Sequence, residues 1–204
     1  MRYAPDHKPA TRARIVAAAG RVLLDQGLAG TGVHQVMARA GLTHGGFYGH
    51  FQSRDALIAE ALEALLEERR GQLVAGLDEL RGEARLAQVV GRYLNRHHRD
   101  NAAAGCPLPA LGGELARADP ELRARFERGL AALADEIAAP RDEDGAPQPA
   151  GATADAIDGA GAGAGPGASL EERALATLAL CAGGVMLSRA VGDGELSDRI
   201  LRAC

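Results

Sequence analysis

The stretch "GLTHGGFYGHF" occupies residues 41–51 and differs in composition from the rest of the chain. It holds four glycines, two histidines and three of the six Phe and Tyr residues in a sequence of 204. A glycine-rich segment can cradle a phosphate, and closely spaced histidines can bind a metal. Aromatic residues at helical spacing can instead fix a short helix to a core. The flanking residues decide among these interpretations.

The surroundings of the glycines exclude a phosphate loop. Such a loop follows a strand and carries Lys-Ser or Lys-Thr after its last glycine, whereas Gly46 precedes Phe47 and follows a helical pattern. The later run "GAGAGAGPG" (159–167) lacks the glycine spacing of a dinucleotide fingerprint. His44 and His50 are six residues apart and fall on different helix faces. We therefore predict neither a metal site nor a cofactor.

Apolar residues recur with the period of an α-helix, and no stretch alternates as a strand would, so the sequence predicts an all-α protein. A first helix is expected from a cap at Thr11 to Gly27, and a second from Thr31 to Gly41. A third, very short helix covers 44–50, with Thr43 as its cap. Two helices joined by such a tight turn form a helix-turn-helix.

The side chains of the short helix indicate contact on two sides. Phe47 and Phe51 lie four residues apart and can lock the helix onto a core. Gly45 and Gly46 each lower helix stability by ~1 kcal/mol, so their presence indicates that something approaches the helix closely. The Tyr48 hydroxyl can donate a hydrogen bond to a phosphate.

The charge distribution favours a polyanionic partner. Residues 1–54 carry seven basic and two acidic side chains, a balance of +5, while the remainder has a balance of −9. A basic segment joined to an acidic body is typical of a nucleic-acid-binding module. The three cysteines are far apart, and the sequence offers neither a signal peptide nor an apolar run of membrane-spanning length. We expect a cytoplasmic protein without a membrane partner.

Residues 11–57 resemble the TetR family of bacterial transcriptional regulators. The Ala-Gly-Leu-Thr turn, the Gly-x-Phe-Tyr-x-His-Phe box and the following Ser-Arg carry the resemblance. It implies a three-helix DNA-binding domain (1–52, with the helix-turn-helix at about 31–51) and a larger helical ligand-binding and dimerisation domain (53–204). Within the larger domain, the Gly-, Ala- and Pro-rich segment 140–168 is predicted to be a disordered loop.

The resemblance also implies roles for individual residues. Thr43 and Tyr48 would contact phosphates, His44 and Gly45 would lie nearest the base edges, and His50 and Arg54 would flank the DNA backbone. The basic segment from Lys8 to Arg14 would reach adjacent phosphates or the minor groove. The complete predicted DNA-binding set is Lys8, Arg12, Thr31, Thr43, His44, Gly45, Tyr48, His50 and Arg54.

The C-terminal part carries weaker signals. Ser169 to Glu172 has the sequence of a capping box, and the apolar helix after it resembles, with the final helix, the dimerisation pair of the family. A homodimer through the 170–203 helices implies a palindromic double-stranded operator. Residues 82–85 are expected to form a turn and 97–105 a loop. The residues predicted to line a pocket for a small-molecule inducer are Tyr93, His97, Cys106, Leu111 and Phe126.

Cys106 leaves two interpretations open. It precedes Pro107 at a predicted helix N-terminus, where the helix dipole favours a thiolate that an electrophile could modify. It can equally be a small buried residue. A ligand-released repressor is the function that the resemblance implies. The alternatives are a helical adaptor that binds another protein, and an enzyme using Cys106; with no oxyanion motif visible, we predict no catalytic residues.

Overall fold

The computed structural model describes residues 7–138, 167–192 and 194–204. Every regular element in these ranges is helical, which confirms the predicted all-α class. The elements are α1 (His7–Gly30), α2 (Val33–Arg39), a 3₁₀ helix (His44–Gly49), α3 (Arg54–Val74), α4 (Gly82–Tyr93), α5 (Arg96–Asp100), a second 3₁₀ helix (Ala102–Ala104), α6 (Pro107–Leu115), α7 (Pro120–Ala138), α8 (Leu170–Ala190) and α9 (Glu195–Ala203). The predicted loop 140–168 lies almost entirely outside the described residues.

Contacts divide the chain into two compact units. The first unit comprises the described residues up to Glu68 together with Ala102–Gly129. The second comprises Arg69–Asn101 and the described residues from Leu130 to Cys204. The divisions after Glu68 and Gly129 fall inside α3 and α7, and the division after Asn101 falls between α5 and the second 3₁₀ helix. The domain limit expected after residue 52 stays a prediction from the sequence pattern.

The first unit is built around α1. Its predicted inner face, formed by Ile15, Ala19, Val22 and Leu23, is almost completely buried. The α2 helix and α6 pack against α1. Within the described residues α1 begins at His7, so Thr11 lies inside the helix with its side chain buried and is not the predicted cap.

The second unit is built around α8, which contacts α4, α5 and α9. The predicted capping box at its start is confirmed. The Ser169 hydroxyl accepts from the Glu172 backbone N–H at 3.2 Å, and the Glu172 carboxylate accepts from the Ser169 N–H at 2.8 Å. Together these bonds satisfy two backbone donors that the first helical turn would otherwise leave open.

Two predicted irregular segments are helical instead. Residues 82–85, expected to be a turn, form the first turn of α4. Residues 97–105, expected to be a loop, contain most of α5 and the second 3₁₀ helix. Asn95 caps α5, since its side-chain oxygen accepts from the His98 N–H at 2.8 Å. None of the described helices is long and apolar enough to cross a bilayer.

Candidate nucleic-acid interface

The helix-turn-helix is closed by backbone hydrogen bonds around Gly41. This glycine has φ of 66°, a left-handed conformation that suits a residue without a side chain. The Leu42 N–H donates to the Met37 carbonyl at 2.9 Å, and the Gly41 N–H donates to the Ala38 carbonyl at 3.0 Å. The turn therefore ends α2 and sends the chain into the 3₁₀ helix His44–Gly49.

Two phenylalanines fix the short helix to the core. Phe47 is 0% exposed and Phe51 is 3% exposed. Their rings stack with centroids 5.7 Å apart. Phe47 also meets the ring of Tyr48 edge-on at 5.2 Å. The opposite face of the short helix is consequently held towards the outside.

That outer face is polar and accessible. Tyr48 is 71% exposed, although it is adjacent to the fully buried Phe47. Thr43 and His44 are exposed as well, and the Thr43 side chain makes no capping bond to the helix that it precedes. The exposed His34 of α2 lies beside His44, with ring centroids 6.4 Å apart. No sequence pattern singles out His34, and only its exposure and its proximity to His44 identify it.

The glycines of the short helix have no packing role that would exclude a side chain. A Cβ atom at Gly45 would meet nothing within 4 Å. At Gly46 it would meet the Met37 methyl at 3.7 Å, an ordinary van der Waals contact. Neither glycine has the positive φ seen at Gly41. Packing within the protein therefore does not require glycine at either position. Because neither residue has a side chain, an external partner can approach the backbone of the short helix closely.

Arg12, which the sequence placed among the DNA contacts, is engaged within the protein. Its guanidinium holds the Glu60 carboxylate through Nε and Nη2, with an Nε–Oε1 distance of 3.1 Å. It also donates to the His50 carbonyl and lies 4.1 Å from the centroid of the Phe51 ring. Arg12 thus ties α1 to α3 and to the end of the short helix.

Arg54 and Thr31 are engaged in a similar way around the end of α1. Arg54 Nε donates to the Thr31 carbonyl at 2.7 Å, and its Nη2 donates to the Leu28 carbonyl. Thr31 is 1% exposed, and its hydroxyl donates to the Gly27 carbonyl at 2.7 Å. On the same segment, the Leu28 N–H donates to a Glu114 carboxylate oxygen at 2.9 Å. These bonds define the path of the chain into α2.

The remaining residues predicted to contact DNA differ in how far their side chains are exposed. Lys8 is exposed on the first turn of α1, and Gly45 is exposed on the short helix. His50 is half-buried, with its Nδ1 atom enclosed and without a hydrogen-bond partner among the described residues. The most exposed members of the set are therefore concentrated on residues 43–48, with Lys8 on α1, while the side chains of Arg12 and Arg54 are 40% and 38% exposed.

The predicted ligand-binding residues are divided between the two units. In the first unit, Cys106 and Leu111 are 0% exposed, and Cys106 is the N-cap of α6. Phe126 in the same unit is partly exposed. In the second unit, Tyr93 is 0% exposed while His97 lies at the surface.

The neighbouring His98, not His97, packs against Tyr93. Its ring meets the Tyr93 ring edge-on at 4.6 Å, and Nδ1 donates to the Tyr93 carbonyl at 2.8 Å. Burial lowers the pKa of His98 to about 4, and the positive charge of Arg69 acts in the same direction. His98 is therefore neutral in the folded protein at neutral pH.

The depressed pKa of His98 predicts a loss of stability in mild acid. Between pH ~6.5 and about pH 4, His98 is protonated in the unfolded state but neutral in the folded state. Because the unfolded state binds the extra proton, unfolding becomes more favourable as the pH falls through this range. The free energy of unfolding should drop by about 1.4 kcal/mol per pH unit across this window, about 3 kcal/mol in total. Urea unfolding at a series of pH values measures this dependence.

His98→Gln should flatten this part of the pH profile, because glutamine does not titrate. His97→Gln is the matched control, since His97 is the exposed neighbour and its replacement should leave the slope unchanged. Identical slopes for the two variants would contradict the assignment to His98.

The fold and the exposed short helix define an all-α helix-turn-helix protein. Residues 15–61 match the sequence model of the bacterial regulatory proteins of the tetR family. The match covers most of α1, the whole of α2 and the short helix, and the start of α3. No curated protein matches the chain significantly.

Solved structures agree in fold over nearly the whole chain. A tetR-family transcriptional regulator from Cytophaga hutchinsonii is 20% identical with a TM-score of 0.68, and the match covers 98% of this chain and 94% of that one. A TetR transcriptional regulator from Chloroflexus aurantiacus is 21% identical with a TM-score of 0.65, covering 96% and 92%. E. coli NemR in its reduced form is 18% identical with a TM-score of 0.65, covering 95% and 94%. At these identities the likeness concerns the fold alone.

Proposed function

We propose that this protein is a DNA-binding transcriptional regulator, a repressor that a small molecule releases from its operator. The observation that carries the proposal is the exposed face of residues 43–48. It presents the accessible Tyr48 and two glycines with no internal packing role, on a short helix anchored by the buried Phe47. A helix-turn-helix uses this face in the major groove of DNA.

The exposed residues have different roles in DNA recognition. The hydroxyls of Thr43 and Tyr48 donate to phosphates and so position the protein. His44 lies nearest the base edges, and Gly45 allows the backbone to approach the DNA. Lys8 adds a phosphate contact from α1. Few long side chains face outwards, so sequence recognition relies partly on DNA shape.

Arg12, Arg54 and Thr31 act through the protein and not by direct contact with DNA. Their polar groups are bonded to Glu60 and to backbone carbonyls of α1 and of the helix-turn-helix. We assign them the role of holding α1, α2 and the short helix in a fixed relation. His50 belongs with them, because its carbonyl accepts from Arg12.

A homodimer through the 170–203 helices completes the proposal. In the second unit α8 and α9 expose large apolar side chains that single soluble chains usually cover. These are Leu175, Met186, Leu187, Val191 and Leu196, each between 39% and 54% exposed. A second copy is the occupant that a two-fold dimer supplies, and such a dimer requires a palindromic operator.

The inducer in this proposal is a reversible small-molecule ligand. Cys106 is completely buried at the N-cap of α6, which supports packing over reaction with an electrophile. The proposed place of action is the cytoplasm, where a regulator has access to DNA.

Replacing Tyr48 with Phe should weaken binding to the operator upstream of the chain's own coding sequence by roughly 1 kcal/mol per protomer, the contribution of one hydrogen bond. The ring still packs on Phe47, so thermal stability should not change. Fluorescence anisotropy at fixed salt measures the affinity.

A scrambled duplex of equal length is the control for sequence-specific binding. Unchanged operator affinity in Tyr48→Phe would remove the hydroxyl from the interface. Absence of any specific binding by the native protein would overturn the proposed function itself.

A further inference from the structure

His34 and His44 lie side by side on the outer face of the helix-turn-helix, one on α2 and the other on the short 3₁₀ helix. Their ring centroids are 6.4 Å apart, and the ring planes are inclined by 31°. Both side chains are exposed, and neither forms a hydrogen bond or an ion pair within the part of the chain that the structure describes. The ring nitrogens are therefore available to an external partner.

On the short helix, His44 is the side chain best suited to contact a base. Gly45, Gly46 and Gly49 have no side chain, and Tyr48 donates to a phosphate in the proposed complex. In a helix-turn-helix, residues at the start of the second helix contact base edges in the major groove. His44 is the first residue of this helix, so its imidazole faces the bases when the helix enters the groove.

On α2, His34 is the polar side chain that faces the same way. Ala38, four residues later, shares its helix face but is apolar. The exposed Arg39 lies five residues after His34 and is therefore ~140° away around the helix axis. The distance of 6.4 Å places the His34 ring directly beside the His44 ring. His34 can consequently reach a base close to the one that His44 contacts.

The chemistry of an imidazole favours guanine over the other bases. Each ring carries at least one N–H donor. In the major groove guanine presents two acceptors, N7 and O6, whereas adenine places a donor beside its single acceptor and cytosine presents a donor. Successive bases are ~3.4 Å apart along a strand, so two bases with one between them are ~6.8 Å apart. The two rings, 6.4 Å apart, match this second spacing.

We infer that each operator half-site holds two G·C base pairs separated by one base pair, and that His34 and His44 each donate to the N7 edge of one of these guanines. This inference rests on the proposed function, because it names the class of DNA sequence that the regulator binds. It adds α2 to the elements that read bases, through a residue that no sequence pattern indicates.

Selection of bound duplexes from a randomised pool by the native full-length protein tests the half-site. The enriched duplexes should carry two G·C pairs with one base pair between them. His34→Ala should lose the preference at one of these positions and His44→Ala at the other, because each variant lacks one donor. Both side chains are exposed, so neither substitution alters the core. His97→Ala, which removes an exposed histidine of the second unit, should select the native half-site.

Replacing a selected guanine with 7-deazaguanine tests the contact itself, because this base pairs normally but lacks the N7 acceptor. The replacement should weaken binding of the native protein about fivefold per half-site, the fold-change that corresponds to one hydrogen bond of ~1 kcal/mol. At the position that His34→Ala or His44→Ala no longer selects, it should leave the affinity of that variant unchanged. Fluorescence anisotropy at fixed salt measures both effects.

Several results would overturn the inference while leaving the proposed function intact. One is a selected half-site without G·C pairs at this spacing. Another is native selection by His34→Ala, the result expected if His34 contacts a phosphate, or by His44→Ala. A third is an equal effect of 7-deazaguanine on a variant and on the native protein. If the native protein enriches no sequence at all, the proposed function itself is overturned, so the two failures are distinguishable.

Discussion

Replacing Arg85 with Met should lower the free energy of unfolding by about 4 kcal/mol, the scale observed when one member of a buried polar group is removed. The Arg85 side chain is 1% exposed, and its guanidinium donates to three backbone carbonyls. Nε lies 3.2 Å from the Ile137 oxygen and Nη2 lies 2.9 Å from the Glu136 oxygen, while Nη1 donates to Leu77. Met fills similar volume, so the loss comes from acceptors left without donors. Chemical denaturation at neutral pH measures it.

Arg92 provides the matched control for this experiment. It also donates to two carbonyls, those of Leu73 at 2.9 Å and Ala75 at 2.7 Å, but its side chain is partly exposed. Water can replace its bonds, so Arg92→Met should cost only about 1 kcal/mol. Equal losses in the two variants would show that burial does not determine the contribution of Arg85.

Features of the fold that depend on neighbouring residues could be predicted from the sequence. The capping residue Ser169 accepts the backbone N–H group of Glu172 three residues later, as its pattern indicates. The buried face of α1 follows from its apolar periodicity. The exposed short helix follows from the glycines and aromatic residues of 41–51. Such signals are local, because each depends on residues that lie within one or two helical turns of one another.

Contacts between distant parts of the chain could not be predicted in this way. Arg85 was expected only as part of a turn at 82–85, and no local pattern indicates its burial, because arginine is rarely buried and its acceptors come largely from another helix. Arg12 and Glu60 are 48 residues apart, and the ion pair between them gave no sequence signal. The short helix α5 lacks apolar periodicity. This helix is stabilised by hydrogen bonds to α8 and α9, including the bond from Arg99 to Asp198 at 2.9 Å, because its own helix propensity is not sufficient.

Replacing Gly27 with Ala should lower the free energy of unfolding by about 4 kcal/mol, the sum of two effects. Gly27 interrupts α1 with φ of 72° and ψ of −176°, a backbone region essentially restricted to glycine, where an alanine is strained by about 1–3 kcal/mol. An added Cβ would also lie 2.2 Å from a Glu114 carboxylate oxygen, so that side chain must move. Its displacement breaks the bond that it accepts from the Leu28 N–H at 2.9 Å, worth about 1.5–3 kcal/mol for a charged acceptor.

Gly41→Ala separates the two effects. Gly41 has nearly the same φ, 66°, but a Cβ there would meet nothing within 4 Å. Its replacement should therefore cost only the backbone strain. Combining Gly27→Ala with Glu114→Ala in a double-mutant cycle should recover the same smaller cost, because the obstructing carboxylate is then absent. If Gly27→Ala proves no more destabilising than Gly41→Ala in urea unfolding, the Glu114 contact does not fix the chain between α1 and α2.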